Sequence, residues 1–173
     1  MRGSDMNENI TLFSGTAAFL WRDGYWLLMK RSPEKAIAPG VWSGVGGKIE
    51  QDEMNSPLSA CLREVYEETG ISSENIYNLE LRYIIIRRAK NVIRQSYIYF
   101  GETDKCNFSD TREGALCWVP EAELLDREFT KTFDAMLRHY ICTPDEKGRV
   151  VVGVAENIGD KLHMSWSVLE DFE

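Results

Sequence analysis

The pattern of apolar and polar positions predicts strands at the start of the chain. Thr11 to Trp21 and Tyr25 to Arg31 are apolar, aromatic-rich runs, and Arg22-Asp23-Gly24 between them is typical of a hairpin with an Asp-Gly turn. Pro39 to Val45 carries Trp42 among glycines, which predicts a short strand where backbones approach closely. The fold is therefore expected to begin with paired strands.

Strand patterns return in the second half of the chain. Further strands are predicted at 83–89, 92–102 and 115–119, with a short helical segment at 120–125. A C-terminal hairpin is predicted at 149–155 and 161–168, around a turn at 157–160. Helical spacing of apolar residues then predicts a helix that packs on the sheet, with Phe129, Phe133, Met136, Leu137 and Tyr140 on its packed face.

Another helix is marked at both ends by its sequence. Ser56 is suited to the N-cap, Pro57 to the first helical position, and Gly70 to ending the helix. Its apolar positions cluster on one face, which we expect to contact the core. They are Leu58, Cys61, Leu62, Val65 and Thr69.

Three acidic residues share a neighbouring face of this helix. Glu64, Glu67 and Glu68 occupy positions i, i+3 and i+4, so they fall within an arc of about 100°. Like-charged neighbours on a helix destabilise it by roughly a few tenths of a kcal/mol per pair. A bound divalent cation explains this arrangement better than solubility does, because hard cations prefer oxygen ligands.

The segment from Gly47 to Ile71 resembles the Nudix box, G-x5-E-x7-R-E-U-x-E-E-x-G-U, in which U is aliphatic. Gly47 and Glu53 keep the first spacing, and Arg63 to Ile71 matches the second half at every fixed position. Nine residues separate Glu53 from Arg63 where the family pattern has seven. The loop before the helix is therefore expected to be two residues longer, which leaves open whether Glu53 keeps its supporting role.

The resemblance implies a fold, a cofactor and residue roles. The fold class is α/β, a Nudix-like α/β/α sandwich around a mixed β-sheet, with the C-terminal hairpin as an extension. Mg²⁺ or Mn²⁺ would be required, with Glu64, Glu67 and Glu68 as ligands and the backbone of Gly47 as a further oxygen source. Arg63 would orient the carboxylates by ion pairing. The catalytic set is thus Arg63, Glu64, Glu67 and Glu68.

The resemblance leaves the general base open. Glu67 or Glu68 competes with Glu113, which lies in the loop from Asp110 to Ala115, and the box residues are favoured. Trp42, Trp118 and Arg31 are weaker candidates for substrate contact, because aromatic residues in strands usually belong to the core. Arg87 and Arg88 are interpreted mainly as charges that protect a hairpin edge from aggregation, with substrate contact as the alternative.

The implied reaction is attack of water on a phosphoanhydride of a nucleoside diphosphate linked to another group. The segment from Glu113 to Leu124 resembles the strand-to-helix passage of MutT-type members, which favours nucleoside triphosphates, including 8-oxo-dGTP-like forms. The products would be a monophosphate and pyrophosphate. ADP-ribose, nucleotide sugars and dinucleoside polyphosphates remain alternatives, as does a Nudix module that binds nucleotides without hydrolysing them.

Composition limits the domain organisation and the partners. The 173 residues, 43% apolar and 28% charged, suit one domain at 6–142 with a hairpin extension at 143–173 that packs on it. Residues 1–5 resemble an expression leader. A net charge of −8 argues against nucleic-acid polymers and anionic membranes as partners, but not against a small nucleotide.

The cysteines and the N-terminus predict a location. The four cysteines show no paired spacing, which predicts buried free thiols and a reducing compartment; they are Cys61, Cys106, Cys117 and Cys142. The N-terminus lacks an apolar targeting segment. We therefore expect a cytoplasmic protein, and the habits of the family suggest a homodimer.

Overall fold

The computed structural model describes residues 9–34, 38–108, 113–146, 148–159 and 161–171. Residues 1–5, predicted to be a leader, and residues 110–112 of the Glu113 loop lie outside the described residues. The strands within these ranges are β1 (Thr11–Arg22), β2 (Tyr25–Arg31), β3 (Trp42–Ser43), β4 (Ile76–Ala89), β5 (Val92–Thr103), β6 (Gly114–Pro120), β7 (Val150–Ile158) and β8 (Lys161–Leu169). The α-helices are α1 (Pro57–Thr69) and α2 (Lys131–Cys142).

The strands form one mixed sheet. Their order is β3-β2-β1-β5-β4-β7-β8, and β6 pairs with β2. The β1–β5 and β4–β7 pairs are parallel, whereas the other strand pairs are antiparallel. The predicted Asp-Gly turn joins β1 and β2, with Asp23 and Gly24 both at positive φ, as a tight hairpin turn requires.

β1 and β2 are paired only beside this turn. Residues 20–22 of β1 pair with residues 25–27 of β2. Further along, the segment that leads into α1 takes the edge of β1: Val45 and Ala18 exchange two backbone hydrogen bonds, at 2.7 and 3.0 Å. This divergence of two strands that are neighbours in sequence brings the glycine-rich segment next to α1.

The two helices cover opposite faces of the sheet. α1 packs on a core layer that includes Ala18, Leu20, Leu27, Met29, Cys61, Val65 and Tyr99. α2 packs on the other layer, which includes Phe19, Trp26, Leu28, Ile98, Phe100, Met136 and Leu137. Strand alternation sends successive side chains to opposite layers, which gives the predicted α/β/α sandwich.

The C-terminal hairpin extends the same sheet. β7 runs parallel to β4, and β8 pairs with the outer side of β7. Val151 is buried in the α2-side core, and the ring of Trp166 lies 5.7 Å from that of Tyr83 and 4.4 Å from that of His139. The extension therefore shares a core with the rest of the domain.

Several boundaries differ from the predictions. β4 begins at Ile76 rather than at residue 83, and β7 continues to Ile158, into the predicted turn. Position 160 of that turn lies outside the described residues. Pro120 ends β6, and the helical segment after it is a 3-10 helix at Glu121–Asp126. Local propensity does not determine where a strand loses its last pairing partner.

Some expectations about side chains are wrong. Leu58 is 42% exposed, and Ser56 takes the predicted N-cap position but its side chain makes no capping hydrogen bond. Of the cysteines, Cys61 is buried, but Cys106 and Cys142 are exposed. Arg87 does not lie on a sheet edge, because β4 sits between β5 and β7.

Within the described ranges, no helix is both long and apolar enough to cross a lipid bilayer.

Candidate active site

The three acids of α1 differ in exposure although they share one helix face. The side chain of Glu67 is 55% exposed, that of Glu64 is 14% exposed, and Glu68 is buried with 7% exposed. All three line one cleft. α1 packs against β1, and the two least exposed acids, Glu64 and Glu68, lie against the glycine-rich segment before α1.

Close backbone approach explains the glycines of this segment. The backbone N–H of Gly46 donates to Oε2 of Glu68 at 2.9 Å, and the carbonyl of Gly47 accepts from the N–H of Thr16 at 2.9 Å. A Cβ atom on Gly47 would lie 2.4 Å from Oε2 of Glu64, closer than van der Waals contact permits. A side chain at position 47 would therefore displace an acid of the cluster.

Arg63 connects the acids to one another. Its Nε and Nη2 donate to the two carboxylate oxygens of Glu53, both at 2.8 Å. Its Nη1 donates to Oε1 of Glu64 at 2.8 Å and to Oε2 of Glu67 at 3.2 Å. Bidentate arginine–carboxylate pairing is directional as well as strong, so Arg63 holds these carboxylates in a defined arrangement.

Glu53 keeps its contact with Arg63 despite the longer spacing. It ends a 3-10 helix at Gln51–Glu53, and its side chain accepts from the backbone N–H of Glu50 at 3.0 Å. Met54 and Asn55 form the turn between this helix and the entry to α1. The hydrogen bonds from Arg63, followed by that from Glu50, lower the pKa of Glu53 to about 2.

The buried acids are harder to ionise. Burial raises the pKa of Glu68 to about 7, and the negative charges of Glu64 and Glu113 contribute to that rise. The Gly46 N–H and the charge of Arg31 oppose it. Burial also raises the pKa of Glu64, against the stabilising contact with Arg63. A cation bound beside these groups would favour their ionised forms.

The carboxylate oxygens of the box are of the type that binds a hard cation, but they are not arranged as a complete coordination site. Within the described ranges, no group of three or more His, Cys, Asp and Glu side chains is arranged to hold a metal ion. One oxygen each of Glu64, Glu67 and Glu68 is engaged by Arg63 or by Gly46. The remaining carboxylate oxygens are ligands of the type that Mg²⁺ and Mn²⁺ prefer.

The cleft extends well beyond the acids. Its volume is about 610 Å³, and it passes from α1 under the edge of β1 towards the beginning of α2. Arg31 and Glu113, two of the residues proposed from the sequence, both line the cleft. The carbonyl of Glu113 accepts from the N–H of Ser32 at 3.0 Å. β2 and β6 thus bring both residues to the cleft.

The two tryptophan candidates lie elsewhere. Trp42 contacts cations on its ring, with Nζ of Lys30 at 5.8 Å and Cζ of Arg127 at 5.5 Å from the centroid. Trp118 packs against the α1-side core, and its indole N–H donates to the carbonyl of Cys106 at 3.4 Å. Neither is among the described residues that line the cleft.

Other cleft residues were not favoured as substrate contacts from the sequence. Arg87, for which substrate contact was only the alternative, lines the cleft, as do Arg94, Phe13, Thr132 and Phe133. Alternation along β4 contained a usable signal, because Arg87 shares a strand face with the buried Tyr83 and Ile85. That signal becomes decisive only when β4 is known to be an interior strand.

Comparison with known proteins agrees with the box. The model of the NUDIX domain matches residues 11–140. A CTP pyrophosphohydrolase of Escherichia coli (strain K12) is 44% identical over 57 residues, which are 33% of this chain and 40% of that protein. The chain thus aligns with less than half of the length of this relative.

Solved structures share the fold at low identity. A MutT protein from Bacillus halodurans has a TM-score of 0.70 at 21% identity, covering 90% of this chain and 97% of its own. A MutT protein from Methanosarcina mazei Go1 has a TM-score of 0.67 at 21% identity, with coverages of 78% and 96%. The predicted fold class is confirmed.

Proposed function

Because this chain belongs to the NUDIX family, we propose that it is a hydrolase of phosphoanhydride bonds that requires Mg²⁺ or Mn²⁺. Its preferred substrates are nucleoside triphosphates, including oxidised forms, which it converts to monophosphate and pyrophosphate. The observation that carries this proposal is the cluster of Glu64, Glu67 and Glu68 in one cleft, with Arg63 paired to the first two. A non-catalytic module has no need for such a repulsive cluster.

The residues of the cluster divide the work. Glu64, Glu67, Glu68 and the carbonyl of Gly47 would hold the metal ion, which when bound neutralises phosphate charge and activates water. Arg63 keeps Glu64 and Glu67 aligned, and Glu53 fixes Arg63 from the other side. A carboxylate of the box, Glu67 or Glu68, accepts the proton of the attacking water. Glu113 adds negative charge to the same cleft.

The preference for triphosphates draws on the relatives and on the size of the cleft. A relative is named for pyrophosphohydrolysis of CTP, and MutT proteins share the fold. A cleft of about 610 Å³ falls within the range of pockets that accommodate a small-molecule ligand such as a nucleotide. Arg31 is placed to neutralise phosphate charge, since it lines the cleft and acts electrostatically on Glu68.

The test is a substrate panel with matched variants. Each candidate substrate is incubated with Mg²⁺, and the nucleotide and phosphate products are separated by anion-exchange chromatography; the panel is nucleoside triphosphates, 8-oxo-dGTP, ADP-ribose, nucleotide sugars and dinucleoside polyphosphates. We expect a triphosphate to be preferred, and Glu67→Gln and Glu68→Gln to reduce kcat by about 100-fold or more, as for the loss of a general base. Glu74→Gln replaces an exposed acid outside the cleft and should change nothing.

Two results would contradict the proposal. Turnover unchanged in both box variants would remove the site assignment. Activity on no member of the panel, with metal binding intact, would instead favour a module that binds nucleotides without hydrolysing them.

A further inference from the structure

Two arginines face each other inside the cleft. Arg87 on β4 and Arg94 on β5 are directly opposite in the antiparallel register, so their side chains lie on the same face of the sheet. That face is the one covered by α2, because Ile85 and Ile98 on the same faces of their strands belong to the α2-side core. Both arginines line the cleft that contains the box acids.

This pair is unfavourable without a ligand. Like charges directly opposite each other in a sheet destabilise it. Among the described residues, neither arginine makes an ion pair or a side-chain hydrogen bond that would compensate for the repulsion. Burial, together with the charge of Arg94, lowers the pKa of Arg87. The two guanidinium groups therefore offer N–H donors to hydrogen-bond acceptors of a ligand.

The surroundings of the pair suit a flat group. Cζ of Arg94 lies 4.6 Å from the centre of the Phe13 ring, so the guanidinium covers an aromatic face. Planar guanidinium groups and aromatic rings both stack on nucleobases. Phe133 and Thr132 of α2 line the same cleft. The subsite thus combines stacking surfaces with donors.

The position of the pair matches the length of a nucleotide. The Gly46–Gly47 segment lies on the free edge of β1, and β5 and β4 follow β1 in the sheet. At about 4.8 Å per strand, Arg94 and Arg87 are about 10 and 14 Å across the sheet from that segment, measured along the backbone. This separation corresponds to a phosphate at the box with its nucleobase over the arginines.

We propose that Arg87 and Arg94 are specificity residues that donate to a nucleobase edge carrying two adjacent acceptors. Guanine offers O6 and N7, and arginine binds this edge in a bidentate manner. Cytosine offers O2 and N3 side by side. In adenine, N1 and N7 each lie beside the amino donor, and neither has a second acceptor next to it. The inference rests on the proposed function, in that the ligand is a nucleotide, and it names which nucleotides the site selects.

The experiment compares bases at a constant triphosphate. kcat/KM is measured for GTP, CTP and ATP, and Kd is measured for their non-hydrolysable α,β-methylene analogues with Mg²⁺. We expect the wild type to favour guanine and cytosine over adenine. Arg87→Met and Arg94→Met should each reduce that preference by about 10- to 100-fold, which is the discrimination expected from one bidentate contact.

Two further variants define what is lost. Arg94→Lys keeps the charge but not the planar fork, so it should lose the preference as Arg94→Met does. Arg88→Met is the matched control, because Arg88 is the exposed neighbour whose Nε donates to the carbonyl of Lys90. It should leave the preference unchanged. Thermal melting of each variant shows whether the fold is retained.

Three outcomes would overturn the inference. A wild-type enzyme that favours adenine contradicts it, and so does an unchanged base preference in the folded methionine variants. Loss of discrimination between triphosphates and diphosphates, with the base preference intact, would assign the arginines to phosphate instead. Base-dependent binding of the analogues that requires both arginines, without any hydrolysis, would support the inference while contradicting the proposed hydrolase activity.

Discussion

At the residue scale, Arg63 is the organising side chain of the site. It donates to Glu53, Glu64 and Glu67, and its Nη2 also donates to the carbonyl of Lys48 at 3.0 Å. The hydrogen bonds and charges of Glu53, and then of Glu64, raise the pKa of Arg63. Glu53 is thus a positioning residue, which acts on the metal-binding acids through the arginine.

The contact with Glu53 predicts a pH-dependent contribution to stability. Since the folded pKa of Glu53 is lowered from 4.5 to about 2, its stabilisation is present above pH 4.5 and is lost as the pH falls towards 2. Glu53→Gln should therefore melt at a lower temperature than the wild type at pH 7, and the difference should shrink at pH 3. Glu74→Gln provides the control, and equal Tm values at pH 7 would contradict this role.

At the element scale, the divergence of β1 from β2 creates the site. The hairpin stays paired at 20–22 with 25–27, and the segment before α1 then takes the edge of β1. This insertion places Gly46 and Gly47 against Glu68 and Glu64. The β7–β8 hairpin lies in the same sheet, on the side of β4 away from β1. β7 pairs with β4, the strand that carries Arg87.

The hairpin is expected to be part of the cooperative fold. Trp166 packs on Tyr83, His139 and Gly153, where a Cβ atom on Gly153 would lie 2.4 Å from the indole. Trp166→Ala should lower the free energy of unfolding by about 2 kcal/mol, less than for a fully buried tryptophan. Leu169→Ala, at a position 57% exposed on the same strand, should change it by less than about 0.5 kcal/mol. Urea denaturation measures both, and equal effects would mean that Trp166 has no special part in the core.

At the scale of the whole molecule, the distribution of charge matters more than its sum. The chain carries a net charge of −8, yet its cleft has acids at the box and arginines over the sheet. Such a distribution suits a ligand that arrives with phosphates and a cation at one end and a base at the other. The cytoplasmic location and the homodimer stay predictions.

Divalent cations should stabilise the folded protein. Binding to the native state alone contributes RT ln(1 + [L]/Kd), which is about 1.4 kcal/mol at ten times Kd. Thermal melting with and without millimolar Mg²⁺ should therefore show a higher Tm for the wild type, and a much smaller shift for Glu64→Gln. An equal shift in that variant would place the bound ion outside the acid cluster.

Local features of the chain were predicted well from the sequence. The Asp-Gly turn, the limits of α1 and the shared face of Glu64, Glu67 and Glu68 follow from turn chemistry and helical periodicity, which depend on near neighbours in the chain. The match to the box likewise identified the family, and thereby the fold class.

The tertiary structure decided which side chains meet. It buries Glu68 beside Gly46 and brings Glu53 into hydrogen-bonding contact with Arg63. It also places Arg87 opposite Arg94 in the cleft. It also directs Trp42 and Trp118 to surroundings outside that cleft. These outcomes depend on strand order and on the face that each strand presents, which are set by pairing between distant segments. The periodicity of a sequence shows that a strand or helix has two faces. Only tertiary packing decides which face forms the site.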